Sequence, residues 1–206
     1  MPVKPERTPL AEDEANHATA LLVVDLFSDW KFPGAGALSR AAAAMTPTLR
    51  RLKARCDAAG VPTVYVNDNH GRWRSDAPGL VRLAASQSDI AARIVSDIAP
   101  TDADYFVLKP KHSAFFATPL DLLLRHLRVR RVVVTGVATD QCVLLTAVEA
   151  RMQDYEVFVP SDAVAAQTAS RSKAALDHMK TAHHVSIGRA RTLRLGTGVA
   201  AATDPD

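Results

Sequence analysis

The sequence alternates between two kinds of segment, and this alternation limits the possible folds more than any other feature. Short continuous apolar runs, such as 20–25 and 131–135, are typical of strands that are buried on both faces of a sheet. The stretches between them have the apolar spacing of amphipathic helices. The alternation predicts an α/β protein with three layers, in which helices cover both faces of a parallel sheet.

The boundaries of these segments can be predicted from their flanking residues. Strands are predicted at 20–25, 61–66, 105–108, 131–135, 157–159 and 185–187, and helices at 38–59, 89–98, 119–127, 140–152 and 169–181. Because proline suits the first turn of a helix, Pro47 indicates that the regular part of the first helix begins there. The segment 67–87 is rich in Asn, Asp, Gly and Ser, and it is predicted to be a long loop.

The length of 206 residues favours one folded domain with short tails. Residues 1–18 are polar and show no periodicity, so they are predicted to be a flexible N-terminal arm. The domain is predicted to occupy 19–190, and residues 191–206 are predicted to be a C-terminal tail.

Composition argues against several classes of partner. The net charge is only +3, and the densest basic stretch, 125–131, falls at a predicted helix end, so we expect no nucleic-acid partner. No apolar run approaches the roughly 20 residues that span a bilayer, so we expect no membrane partner. The first 18 residues lack the apolar region of a secretory signal, and two cysteines make no disulfide framework. These features predict a cytoplasmic protein.

Familiar nucleotide and hydrolase motifs are missing from the sequence. It contains no GxGxxG after a strand, no GxxxxGK[ST] and no GxSxG. The dinucleotide, nucleoside-triphosphate and serine-hydrolase interpretations therefore lose their usual signatures.

Three polar residues stand where ligands bind in this class of fold, at the carboxyl ends of the strands. Asp25 ends the first predicted strand, Lys109 follows the third, and Cys142 lies in the first turn of a predicted helix. A helix N-terminus and a nearby ammonium both favour a thiolate, and a carboxylate could take up and return the thiol proton. Together the three residues predict an activated nucleophile with a general base. The turn 136–141 offers backbone N–H groups for an oxyanion.

Each of these residues also has a structural interpretation when it is taken alone. Asp25 could cap a strand, Lys109 could be a surface residue, and Cys142 could be a small core residue. His112 suggests a Cys–His pair with Cys142, but this is disfavoured once Asp25 and Lys109 fill the two roles. Lys111 competes with Lys109, and the position at the strand end favours Lys109.

Several blocks of the sequence resemble the isochorismatase-like cysteine hydrolases, which include isochorismatases, nicotinamidases and N-carbamoylsarcosine amidohydrolases. The blocks are LVVD at 22–25, LKPKHSAF at 108–115, TPLD at 118–121, VTGVATDQCV at 134–143, TA at 146–147 and VPSDA at 159–163. The likeness covers about 20–187 and points to a less characterised branch. It implies a six-stranded parallel sheet and places the family's Asp–Lys–Cys catalytic triad on Asp25, Lys109 and Cys142.

The resemblance implies further features of the site. A non-proline cis peptide bond would fall at Val137–Ala138. It would help the backbone N–H groups of Ala138 and Cys142 to form an oxyanion hole. Family members commonly form dimers or tetramers, so we expect a homo-oligomer.

The sequence departs from the family where nicotinamidases bind a metal. Those enzymes use an Asp-x-His with further histidines, whereas this chain reads NDNHGRWR at 67–74, with Asp68 and His70 alone. Two such ligands make a weak site. We therefore expect neither a metal at His70 nor another cofactor.

The expected function follows from these residues. We predict a hydrolase that cleaves an amide or ureido C–N bond of a small molecule through a thioester on Cys142. Two alternatives stay open: cleavage of a vinyl ether, as in isochorismatases, and a catalytically silent binding or oligomeric module of the same fold. The predicted substrate-pocket residues are Phe27, Asn69, Trp73 and Phe115.

Overall fold

The computed structural model describes residues 19–71, 74 and 76–195. The strands of this part are β1 (Thr19–Val24), β2 (Thr63–Asp68), β3 (Tyr105–Lys109), β4 (Arg131–Val137), β5 (Glu156–Pro160), β6 (Val164–Ala165) and β7 (Ser186–Gly188). The α-helices are α1 (Ala35–Ala58), α2 (Ala77–Ala85), α3 (Asp89–Ile98), α4 (Leu120–His126), α5 (Leu144–Met152) and α6 (Ala169–His183). A π-helical turn, Thr139–Val143, leads directly into α5, and a 3-10 turn, Ala190–Thr192, follows β7.

The strands form one parallel sheet in the order β3-β2-β1-β4-β5-β7, and the two-residue β6 pairs with β4. The six predicted strands are confirmed, and β6 is an addition to them. In the register of the sheet, Val24 pairs with Gly136 and Asp68 pairs with Lys109. The carboxyl ends of β1, β2, β3 and β4 therefore meet at one edge.

The predicted three-layer architecture is also confirmed. Along β1, Leu22 and Val24 point into a core shared with α4, α5 and α6, whereas Leu21 and Val23 point into a core shared with α1, α2 and α3. Because successive strand side chains face opposite sides of a sheet, a fully buried strand is apolar at every position. For this reason the continuous apolar runs correctly predicted the central strands.

Helix α1 is regular from Ala35, twelve residues before the predicted regular start at Pro47, and it runs through that proline. The prediction that the regular helix starts at Pro47 was therefore wrong. Proline cannot donate to the carbonyl four residues before it, here that of Ala43. The Thr46 hydroxyl lies 3.2 Å from that carbonyl oxygen and donates to Asp97 at 2.6 Å. This polar contact and the buried apolar face of α1 allow the helix to continue.

The predicted loop 67–87 contains a helix, α2, so the second half of that prediction was wrong. The carboxylate of Asp76 accepts a hydrogen bond from Gly79 N–H at 2.6 Å and caps the helix N-terminus. Leu80 and Ala84 are buried on one face. A helix of nine residues makes fewer than three turns, which is too short to establish a period in the sequence.

The ends of the predicted domain can be compared only in part. The predicted arm, 1–18, lies outside the described residues, as does most of the predicted tail, 196–206. The start of that tail is packed, because Arg55 donates to the carbonyl oxygens of Ala190 at 2.8 Å and Leu193 at 2.7 Å, and Leu193 is buried. The domain therefore extends beyond 190. None of the helices in the described part is long and apolar enough to cross a membrane.

Candidate active site

A cavity of about 280 Å³ opens at the carboxyl edge of the sheet. The residues that line it are Asp25, Phe27, Ser28, Trp30, Phe32, Pro33, Leu38, Asn67, Asp68, His70, His112, Val137, Ala138, Asp140, Gln141, Cys142, Gln167 and Arg171. They come from the segments that follow β1, β2, β3, β4 and β6. The edge where the sequence placed the site is therefore the edge that holds the cavity.

Lys109 is fully buried at the end of β3. Its Nζ lies 2.7 Å from Asp25 Oδ2 and donates to the carbonyl oxygen of Lys111 at 2.9 Å. Asp68 Oδ2 lies 3.8 Å from the same Nζ. A buried ammonium is tolerated only where it is paired and hydrogen-bonded, and these three oxygens meet that need.

Asp25 follows β1 with a positive φ of 52°. Its Oδ1 accepts a hydrogen bond from the backbone N–H of Asp68 at 2.6 Å, while its Oδ2 pairs with Lys109. Both carboxylate oxygens are thus fixed by neighbouring strands. The aspartate is held in one orientation beside the cavity.

Cys142 lies in the π-helical turn between β4 and α5. The turn is closed by hydrogen bonds from Gln141 N–H and Val143 N–H to the carbonyl oxygen of Ala138, at 2.9 and 3.2 Å. The peptide bond Val137–Ala138 is cis, which is where the resemblance places such a bond. Ala138 and Cys142 both line the cavity.

Gly136 positions this turn against β1. Its φ is +105°, and a Cβ built on it would collide with the backbone oxygen and nitrogen of Val24. Only glycine allows both the backbone conformation and the close approach. Since Val24 directly precedes Asp25, this contact holds the cysteine turn next to the aspartate.

The three residues predicted to act together are adjacent in the structure. Cys142 Sγ lies 3.6 Å from Lys109 Nζ, which pairs with Asp25 Oδ2 at 2.7 Å. A fourth group, His112 Nδ1, lies 3.5 Å from the same sulfur. The Cys–His contact that was disfavoured from the sequence is therefore present alongside the Asp25–Lys109 pair.

The electrostatics of the thiol differ from the expectation of a stabilised thiolate. Burial raises the pKa of Cys142, the charge of Asp25 raises it further, and Lys109 offsets only part of this increase. Burial lowers the pKa of Lys109, but Asp25, Cys142 and Asp68 together hold it above its ordinary value. At neutral pH the resting site therefore contains a neutral thiol, a lysine ammonium and a carboxylate.

The predicted pocket residues have different positions in the structure. Phe27 lines the cavity and stacks on Tyr65 with 5.5 Å between ring centroids. Asn69 and Phe115 are not among the described residues that line the cavity, and Trp73 lies outside the described residues.

Asn69 and Phe115 do not line the cavity for two local reasons. Strand β2 runs to Asp68, two residues further than predicted. Asn67 therefore lines the cavity in place of Asn69, and its amide Nδ2 donates to Phe27 O at 2.7 Å. Phe115 packs in the core against Tyr155, at 5.9 Å between ring centroids.

Two cavity residues after β6 were not predicted from the sequence: Gln167, just before α6, and Arg171, in its first turn. Arg171 Nε donates to Asp140 Oδ2 at 2.5 Å, and Arg171 Nη1 donates to Gln167 Oε1 at 2.5 Å. Gln167 Nε2 in turn donates to the carbonyl oxygen of Pro33 at 3.2 Å. The only signal was the predicted start of a helix at 169, which gives no direction for these side chains.

The metal ligands of nicotinamidases have no counterpart among the described residues. His70 lines the cavity, but Asp68 Oδ1 accepts a hydrogen bond from the backbone N–H of His70 at 2.6 Å. The described part of the chain holds no group of three or more His, Cys, Asp or Glu side chains that could bind a metal.

The fold and the cavity define an α/β protein with a buried cysteine, a buried lysine and a partly exposed aspartate at the carboxyl edge of a parallel sheet. Comparison with known families assigns this class more closely. The profile of the isochorismatase domain matches residues 19–189. The chain belongs to the isochorismatase family, and it is a hydrolase of that family.

Individual relatives support this assignment. The chain is 35% identical over 161 residues to the isochorismatase family protein YaaI of Bacillus subtilis, covering 78% of this chain and 88% of YaaI. It is 31% identical over 210 residues to the ureidoacrylate amidohydrolase RutB of Methylobacterium radiotolerans, covering 88% and 79% respectively. The crystal structure of N-carbamoylsarcosine amidase from Thermoplasma acidophilum is 26% identical, with a TM-score of 0.64 over 85% of this chain and 98% of that one.

Proposed function

We propose that this protein hydrolyses the C–N bond of a small amide or ureido compound through a thioester on Cys142. The observation that carries the proposal is the contact of the Cys142 sulfur with the Lys109 ammonium, which pairs with the Asp25 carboxylate, at the wall of a cavity that Asp25 and Cys142 both line. Two relatives are named as an amidohydrolase and an amidase of ureido and carbamoyl compounds, which favours this bond type.

The first half of the reaction forms the thioester. Asp25 takes the thiol proton as the sulfur attacks the substrate carbonyl carbon, and the carbonyl electron pair moves to the oxygen. The N–H groups of Ala138 and Cys142 hold this oxyanion. When the carbonyl re-forms, the C–N bond breaks and the leaving nitrogen takes the proton from Asp25.

The second half hydrolyses the thioester and restores the enzyme. Asp25 removes a proton from water as the hydroxide adds to the thioester carbon, and the collapse of this intermediate expels the Cys142 thiolate. Asp25 then returns the proton to the sulfur. Lys109 stays charged throughout and stabilises the thiolate and the orientation of Asp25.

The neutral resting thiol makes Asp25 necessary in this mechanism. Burial and Asp25 keep the pKa of Cys142 above its ordinary value, so few molecules hold a preformed thiolate at neutral pH. Proton transfer to a fixed carboxylate during attack avoids this cost. The same carboxylate then holds the proton that the leaving nitrogen needs.

The direct test is to trap the acyl-enzyme. The wild-type protein is screened against a panel of small amides and ureido compounds and against a vinyl ether, and the reaction is quenched for intact-mass measurement. We expect an adduct of the acyl mass on the wild type, and in Cys142→Ala no adduct and a loss of turnover of about 10³-fold or more. Cys56→Ala, the matched control, should keep the adduct.

Two outcomes would contradict the proposal. Full turnover of an amide by Cys142→Ala would exclude the thioester. Turnover of the vinyl ether alone, with no adduct, would assign the protein to the isochorismatase-type reaction.

Two further properties are proposals from the resemblance and the composition. We expect a dimer or a tetramer, which light scattering would show directly, and a monomer would reject it. We also expect a cytoplasmic protein, which fractionation of the source cells would test.

A further inference from the structure

We propose that His112 is a further catalytic residue of this site, which donates a hydrogen bond from Nδ1–H to the sulfur of Cys142 and stabilises the thiolate that Asp25 generates. This inference rests on the proposed function, since it assigns a second donor to the same nucleophile. It gives His112 a role that the Asp25–Lys109–Cys142 arrangement does not include.

Two hydrogen-bond donors reach the sulfur of Cys142 from different sides. Lys109 is fully buried, and its Nζ reaches Sγ from the protein interior at 3.6 Å. His112 lines the cavity, and its Nδ1 reaches Sγ from the cavity wall at 3.5 Å. A thiolate on Cys142 would therefore lose contacts with water but would keep two hydrogen-bond donors.

The loop that carries His112 is fixed on both sides of the imidazole. On one side, the carbonyl oxygen of Lys111 accepts a hydrogen bond from Lys109 Nζ at 2.9 Å. On the other side, Ala114 N–H donates to Thr146 Oγ1 at 3.0 Å, and Thr146 is fully buried one turn beyond Cys142. The imidazole is thus positioned by the lysine and by the helix of the cysteine.

The direction of the hydrogen bond follows from the number of protons available. In the proposed mechanism Asp25 takes the only proton of the thiol, so the thiolate can accept hydrogen bonds but cannot donate one. The contact of this sulfur with His112 Nδ1 at 3.5 Å must then receive its proton from the imidazole. This requires His112 to carry hydrogen on Nδ1, with Nε2 as the free acceptor nitrogen in the neutral ring.

The role of His112 is the same in both halves of the reaction. When Asp25 takes the thiol proton and the S–C bond forms, His112 keeps its own proton and donates to the sulfur electron pair. When the thioester collapses, the S–C bond breaks, the electron pair returns to sulfur, and His112 again donates to it. The histidine neither gains nor loses a proton in the cycle.

The tautomer of His112 is the first test. Nitrogen-15 NMR of the labelled resting protein would show which ring nitrogen is protonated, and the His112→Asn spectrum would assign the signal among the seven histidines. We expect protonation at Nδ1. Protonation at Nε2 alone would make His112 an acceptor of the thiol proton and would overturn the proposal.

The second test uses two variants with opposite hydrogen-bonding ability. His112→Phe removes the donor, and His112→Asn keeps an N–H close to the position of Nδ1. The readout is the rate at which iodoacetamide alkylates Cys142, with Cys142→Ser as the blank for Cys56. We expect alkylation to be roughly three- to tenfold slower in His112→Phe and within about twofold of wild type in His112→Asn.

The alkylation rates are compared at several pH values because other titratable residues share the cavity with the imidazole. The titratable and charged residues that line this cavity or contact its lining are Asp25, Asp68, Lys109, Lys111, His70, Asp140, Cys142 and Arg171. A wild-type alkylation rate in His112→Phe at every pH would overturn the proposal. A wild-type rate in His112→Phe with a tenfold change in Lys109→Met would reject His112 and leave the proposed function intact.

Discussion

Cys56 and Cys142 are both buried, with 0% and 8% of their surfaces exposed, yet only Cys142 has neighbours that can do chemistry. Cys56 lies on the apolar face of α1, where burial raises the pKa of its thiol to about 12. Burial also raises the pKa of Cys142, but an ammonium and an imidazole contact its sulfur, and the ammonium pairs with the carboxylate of Asp25. Burial alone makes a thiol inert, and a fixed base beside it makes deprotonation possible during the reaction.

The backbone around the two cysteines also differs, and this difference should give the largest effect. Gly136 precedes the Cys142 turn and has no room for a Cβ, whereas Gly60 follows the Cys56 helix at φ +66° with open space around it. We expect Gly136→Ala to destabilise the fold by more than about 4 kcal/mol and Gly60→Ala by only about 1–2 kcal/mol. Urea unfolding measures both, and equal losses would show that Val24 does not confine the turn.

The two buried lysines provide the next contrast. Lys53 pairs with Asp104 at 2.9 Å and Asp57 at 3.1 Å, and Lys109 pairs with Asp25. Replacement of Lys109 with methionine leaves the partly buried carboxylate of Asp25 without its cation and removes the cation from the sulfur. We expect Lys109→Met to cost about 3–5 kcal/mol of stability and to slow Cys142 alkylation about tenfold or more.

Lys53→Met is the matched control for this experiment. It should also lower the free energy of unfolding, because it leaves Asp104 unpaired, but it should leave the alkylation rate of Cys142 unchanged. Equal alkylation rates in the two lysine variants would show that Lys109 does not activate Cys142.

The smallest effect concerns the pH dependence of stability. The pKa of Cys56 is about 12 in the folded chain against an ordinary value of 9.0. Above pH 9 the unfolded chain loses this proton while the folded chain keeps it, so stability falls as pH rises, by up to about 1.4 kcal/mol per pH unit. Cys56→Ala should reduce this alkaline slope, measured by urea unfolding between about pH 9 and pH 11. An unchanged slope would contradict the assignment.

The sequence predicted best what depends on burial alone. The central strands β1 and β4 are apolar at nearly every position because both of their faces are covered, and their ends located Asp25 and the Cys142 turn. The regular part of helix α1 was predicted to start too late because Pro47 is a signal from the local sequence. The Thr46–Asp97 contact that accommodates this proline joins residues far apart in the chain.

The cavity wall was harder to predict than the three central residues. The end of β2 was predicted two residues too early, so Asn69 was predicted to line the cavity instead of Asn67. Phe115 was also predicted to line the cavity, but it packs against Tyr155. Gln167 and Arg171 reach the cavity from the loop and the helix that follow β6, a strand too short to be predicted from the sequence. Side-chain direction depends on tertiary packing, which spacing does not encode.

The central claim is that Asp25 is the base for a thiol that stays neutral at rest, and Asp25→Asn tests it most directly. Asparagine removes the negative charge that raises the pKa of Cys142, but it cannot take the thiol proton. We therefore predict opposite changes in one variant: iodoacetamide alkylation of Cys142 becomes roughly three- to tenfold faster, while turnover of an amide substrate falls about 10²-fold or more. Slower alkylation together with unchanged turnover would contradict the account.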